Sequence, residues 1–177
     1  MMEPSLRVVR GTEVVDGVAE HPRGFEEFFG SEHERLYGAL CLVTGDRHEA
    51  EEIMQDAFLR LWERWDRVAE VDDPSTYLFR TAMNLFRNRY RRAALALRRT
   101  INLAPTEDAL ATVDDRDAVV RALRDLTPDQ RAAVVLTGYV GLTSEEAGAV
   151  LGMRAGTVRT LGARARAAIR EKGGELR

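Results

Sequence analysis

The 177-residue chain holds a single cysteine, Cys41, so no disulfide can form within it. It has no signal-peptide pattern and no apolar run of membrane-spanning length, and the expectation is a soluble protein of the reducing cytoplasm, without membrane insertion. Alternating apolar and polar runs bounded by turn dipeptides are nearly absent, which argues against a sheet protein. Histidine is scarce as well. His48 and Glu49 begin an HExx sequence, but Glu52 stands where a zinc protease needs its second histidine. His21, His33 and Cys41 lack the spacing of metal ligands. With no nucleophile and base set and no phosphate-binding glycine loop, the chain is expected not to be an enzyme and to need no cofactor or metal.

The net charge of -3 hides a strong pattern. From Glu49 to Asp73 acids dominate, whereas from Tyr77 to Thr100 every charged residue is arginine, and from Gly152 to Arg170 arginine is again alone. An ordinary solvated helix mixes both signs, so each basic block reads as a local footprint for a polyanion. A hydrophobic content of 45% suits one ordinary domain or two small ones, and two is the preferred reading.

Helix signals recur along the chain and predict an all-α fold of two small helical domains. Residues 1–24 lack a sustained period and read as a flexible arm; a first helix is expected from Phe25 to Val43. Asp46 then offers an N-cap, with Glu49 three residues on as in a capping box. Ala50, Ile53, Met54, Ala57, Phe58, Leu61, Trp62 and Trp65 make the apolar stripe of one long helix. Asp73 and Pro74 start the arginine and aromatic helix, which runs to about Ala96. Residues 100–116 read as a flexible linker between a domain at 25–99 and one at 117–177. In the second domain Thr127, Pro128 and Gln130 mark one helix start, and Thr143 with Glu146 another. Gly152 ends that short helix, and a further helix runs from about Gly156 to Glu171, completing a helix-turn-helix pattern.

Along the basic helix Leu78, Phe79, Ala82, Leu85 and Phe86 fall on a buried side. That leaves Arg80, Asn84, Arg87, Asn88 and Arg91 as candidate exposed contacts to single-stranded DNA, whose bases stack on rings such as Tyr77 and Tyr90 while arginines follow the phosphates. Trp62 and Trp65 lie on an apolar stripe and are expected in the core. In the helix-turn-helix, Arg154, Thr157, Arg159, Thr160 and Arg164 are placed to meet duplex DNA, with Arg166 and Arg170 further along.

In this order the segments LTGDRHEAEEIMQDAFLRLWERW, STYLFRTAMNLFRNRYRR, LTPDQRAAVVL and GLTSEEAGAVLGMRAGTVR resemble the extracytoplasmic-function (ECF) group of the sigma-70 family, the promoter-specificity subunits of bacterial RNA polymerase. The resemblance covers roughly residues 25 to 172 and implies a sigma-2-like and a sigma-4-like domain. It further implies that Glu52, Gln55 and Asp56 dock on the β′ coiled coil of polymerase core and that the β flap is a second polymerase contact. Asn84 would lie beside a flipped base of the melted minus-10 strand, with the loop from Asp66 to Pro74 as the lip of its pocket. The second helix of the helix-turn-helix would enter the minus-35 major groove, and an anti-sigma factor is an implied partner. Two places depart from the family pattern: Leu161 and Gly162 replace a basic residue followed by leucine, and Ala147 and Gly148 replace an Ile-Ala pair. Val158, Leu161, Ala165 and Ile169 still form a stripe, so Leu161 is expected to supply the displaced core contact. The competing readings are a stand-alone helix-turn-helix transcriptional regulator and a helical protein-binding adaptor.

Overall fold

Asp46, Asp73, Thr127 and Thr143 each sit where a helix begins, and each side chain accepts a backbone N–H three residues on, from Glu49, Thr76, Gln130 and Glu146. Thr127 and Thr143 form complete capping boxes, since Gln130 and Glu146 return a side-chain oxygen to the cap N–H at 3.0 and 2.7 Å. At Asp46 only half of the box forms, because its N–H is taken by the Thr44 hydroxyl. The computed structural model describes residues 24–99 and 121–175. The arm up to residue 23 and the linker at 100–116 lie outside the described residues.

Every regular element among the described residues is helical: α1 (Phe25–Thr44), α2 (Arg47–Trp62), α3 (Trp65–Val68), α4 (Pro74–Arg99), α5 (Pro128–Gly138), α6 (Ser144–Leu151) and α7 (Ala155–Glu175), with a further helical turn at 121–124. The fold is all-α, as the periodicity predicts.

The single long helix expected through Trp65 stops at Trp62, and part of the expected 66–74 loop is the short α3. At the break the Arg64 N–H tightens onto the Leu61 carbonyl, one residue short of helical register. Trp65 is thereby turned inward. Phe25 is ringed edge-on by Phe58, Trp62 and Trp65 at centroid distances of 6.3, 4.9 and 5.2 Å. Period alone could not reveal the break, because positions 62 and 65 face the same side whether or not the helix is continuous.

The N-terminal unit (α1 to α4) and the C-terminal unit (the turn at 121–124 and α5 to α7) pack against each other, and their buried residues join in one contiguous core. Helix α1 packs on α2 and also on α5; α4 packs on α2 and also on α6; α7 closes over α5 and α6. Leu36, Leu40 and Val43, Ile53 and Leu61, Leu78, Phe79 and Met83, and Leu136, Val150 and Val158 are all fully buried. Each such side chain contributes about 1.5–3 kcal/mol on burial.

Candidate nucleic-acid interface

Helix α4 buries Leu78, Phe79, Ala82, Met83, Leu85 and Phe86 and turns Arg80, Asn84, Asn88 and Arg91 to solvent. These four lie where the sequence places them. Arg87 does not: its side chain is only 21% exposed and it faces the C-terminal unit. Nε and Nη2 both donate to Asp129 Oδ1, at 3.0 and 2.6 Å, and Nη1 donates to the Leu151 carbonyl at 2.7 Å. Helical spacing put Arg87 on the outer stripe; the docking of α6 covers that edge.

Asn84 borders a cavity of about 350 Å³ whose other walls are Tyr77 and Thr81 from α4, Arg60 from α2, and Glu63 and Arg64 from the turn after it. An amide, a phenol, a carboxylate and two guanidinium groups can offer stacking, both hydrogen-bond polarities and phosphate neutralisation in one hollow. The sequence analysis missed Arg60, Glu63, Arg64 and Thr81, because the cavity joins two elements that no periodicity relates.

The acidic face of α2 presents Glu52 and Gln55 exposed and Asp56 half-buried. Here too an arginine intervenes. Arg89 of α4 donates to Glu52 Oε2 at 2.6 Å and to Asp56 Oδ2 at 3.0 Å, and the Glu52 bond raises the Arg89 pKa further. Gln55 bonds Glu51 along the helix. Both carboxylates remain about half exposed, and the second Glu52 oxygen, Oε1, lies 3.6 Å from His48 Nε2.

In the C-terminal unit α6, Gly152 at φ 65° and α7 form the expected helix-turn-helix. The turn passes so close to α6 that a Cβ on Gly148 would lie 2.7 Å from the Met153 carbonyl oxygen, which explains why glycine stands there. Arg154, Thr157, Arg159, Thr160 and Arg164 are all exposed along one end and flank of α7. Arg159 makes a loose pair with Glu145 at 3.1 Å, both more than 60% exposed, while Thr160 bonds the Gly156 carbonyl. Val158 and Ala165 are buried and Leu161 packs against the core, as its expected role requires.

Sigma-70 region 2 matches residues 28–96 and Sigma-70 region 4 matches residues 116–169. The chain belongs to the sigma-70 family. It is 32% identical over 150 residues to the RNA polymerase sigma-E factor of Streptomyces avermitilis, covering 84% of each chain. To the ECF RNA polymerase sigma factor SigE of Mycolicibacterium smegmatis it is 31% identical over 175 residues, covering 91% of this chain and 66% of that one. Its fold matches the sigma factor RpoE, solved in complex with the anti-sigma factor NepR from Bartonella quintana, with a TM-score of 0.73 at 23% identity over 85% of this chain and 96% of that one. The ECF assignment made from the motifs therefore stands, and the chain is a promoter-specific transcription initiation factor. A sigma factor with both regions in order leaves the stand-alone regulator unfavoured. No helix among the described residues is long and apolar enough to cross a membrane.

Proposed function

We propose that the N-terminal unit, at 25–99, reads the minus-10 element as melted single strand and that the C-terminal unit, at 117–177, reads the minus-35 element as duplex. The observation that carries this is the cavity of about 350 Å³ beside Asn84, roomy enough for an unstacked base and lined by groups that can stack on it and hydrogen-bond to it, on the same helix as the exposed Arg80, Asn88 and Arg91. Arg154, Thr157, Arg159, Thr160 and Arg164 contact the major groove and its phosphates from α7. Glu52, Gln55 and Asp56 form the docking face for the β′ coiled coil of polymerase core, with Arg89 holding the two carboxylates in place, and the β flap is a second contact. An anti-sigma factor is the expected regulator, in keeping with the RpoE complex. The protein acts in the cytoplasm, through polymerase and not as an enzyme in its own right.

The test is run-off transcription with polymerase core. Asn84→Ala should lower open-complex formation roughly tenfold, the loss of about 1.4 kcal/mol of base recognition, with core binding unchanged. A pre-melted bubble template should not restore it. Full recovery on such a template would place Asn84 in melting rather than in base reading and overturn the pocket assignment.

A further inference from the structure

Glu63 stands where the fold by itself has little use for it. It is the C-cap of α2, so its carboxylate meets the negative end of the helix dipole, a place that favours a cation. Arg60, three residues earlier, and Arg64, the next residue, flank it, and all three are exposed and line the cavity beside Asn84. On the same helix Glu52 and Asp56 are held by Arg89, whereas Arg60, Glu63 and Arg64 form no ion pair among the described residues. Their position follows from the break after α2. The Arg64 N–H tightens onto the Leu61 carbonyl and Trp65 turns into the core, which leaves Glu63 and Arg64 at the rim facing Tyr77, Thr81 and Asn84 of α4. A charge that works against its own helix and has no partner in the fold is the kind of local departure found where a residue serves a ligand.

We propose, on the reading of this cavity as the minus-10 base pocket, that Glu63 decides which base enters it: a base with an exocyclic amino group is accepted and thymine is rejected. A hollow of about 350 Å³ admits any of the four bases, so size does not choose among them. Donors and acceptors do. A carboxylate only accepts hydrogen bonds, guanidinium groups only donate them, and the Asn84 amide does both. Cytosine, adenine and guanine each bring an amino group that can donate to Glu63, and each keeps a ring nitrogen or carbonyl oxygen for Arg60, Arg64 or Asn84. Thymine has no amino group. Its one ring N–H lies between two carbonyl oxygens, so any edge it offers to Glu63 sets an oxygen against the carboxylate. Rejection by facing acceptors discriminates more strongly than a small difference in size. The two guanidinium groups outweigh the single carboxylate, so the cavity still attracts the phosphates of the strand.

The test reads base preference in the full chain bound to polymerase core. Promoter fragments whose single-stranded minus-10 stretch is randomised are captured, and the bound fraction is sequenced. Wild type should show one position at which thymine is depleted about tenfold against cytosine. Glu63→Gln keeps the length of the side chain, but its amide can present either a donor or an acceptor, so thymine should return at that position alone. A loss of polymerase binding cancels, because the readout is a ratio between bases. That position is then fixed as thymine or as 5-methylcytosine, which have the same shape and methyl group and differ in the amino group and the ring proton. Wild type should hold 5-methylcytosine about tenfold more tightly, and Glu63→Gln should level the two. Tolerance of thymine at every position, an unchanged depletion in Glu63→Gln, or equal binding of the two bases by wild type each overturns the role of Glu63. Asn84→Ala then shows which idea has failed. If it flattens the preference at one position, the cavity reads a base and only Glu63 was wrongly assigned; if it alters no position, the minus-10 pocket reading fails as well.

Discussion

Helices α4 and α7 carry the two carboxylate-free runs of arginine, and the structure uses them differently. On α4, Arg87 and Arg89 are held by Asp129, Glu52 and Asp56, and Arg91 leans on Asn88. At α7, Arg154, just before its first residue, and Arg164 are exposed, and Arg159 makes a loose pair with Glu145. Where the acidic α2 and the first turn of α5 pack beside a basic helix, arginine becomes protein glue; where the outer face of α7 meets only the exposed Glu145, it stays available. A run of like charge therefore marks a candidate footprint, but what packs beside it decides how many of its charges a polyanion can use.

The comparison can be broken most severely at Arg131, the extreme case of arginine as glue. It is the only buried charged residue among the described residues and donates to the Val43, Arg124 and Leu126 carbonyls; burial lowers its pKa from the ordinary arginine value. Arg131→Ala should remove about 3 kcal/mol of stability by urea denaturation, since two buried carbonyls and one part-buried one lose their donor. An unchanged midpoint would show that these bonds contribute nothing net.

Next is Gly148→Ala, expected to lose about 2 kcal/mol, because the added Cβ meets the Met153 backbone and cannot be accommodated by a side-chain swing. It should also weaken duplex binding by re-aiming α7, which anisotropy on a minus-35 duplex with core enzyme would measure. Gly162→Ala is its opposite. There the new Cβ lies 3.3 Å from Arg166 Nη1, the tip of a flexible chain, so helix propensity dominates and stability should rise by about 1 kcal/mol.

Asp73 supplies a pH test of the α4 start. Hydrogen bonds from Thr76 hold its carboxyl below the ordinary 3.8. A depressed folded pKa means stability that is complete above 3.8, the unfolded value, and is lost as pH falls through the lower folded one. Asp73→Asn keeps a capping oxygen, so it should change neutral stability by only a few tenths of a kcal/mol while flattening that acid limb in thermal melts. Smallest of all for the fold is Arg164→Ala. Stability should stay within about 0.5 kcal/mol, yet the salt slope of duplex binding should fall by about 0.9. A stability loss comparable with that of Arg131→Ala would erase the contrast between held and available arginines.

The sequence by itself determined most of the local structure. Caps at Asp73, Thr127 and Thr143, the glycine stop at 152 and the apolar stripes of α2, α4 and α7 depend on residues three or four apart, and such spacing is written in the chain. It also marked Arg80, Asn84, Asn88 and Arg91 as outward, because a helix has one inside. Tertiary structure alone decided the rest. The break before Trp65 follows from where Phe25 packs, 40 residues earlier in the chain. Arg87 and Arg89 meet partners 33 to 64 positions away. The cavity beside Asn84 exists only where the end of α2 passes α4. Periodicity reports which face of a helix is apolar, whereas a polar side chain's partner depends on which other helix lies over it, and that is settled only when the whole core closes.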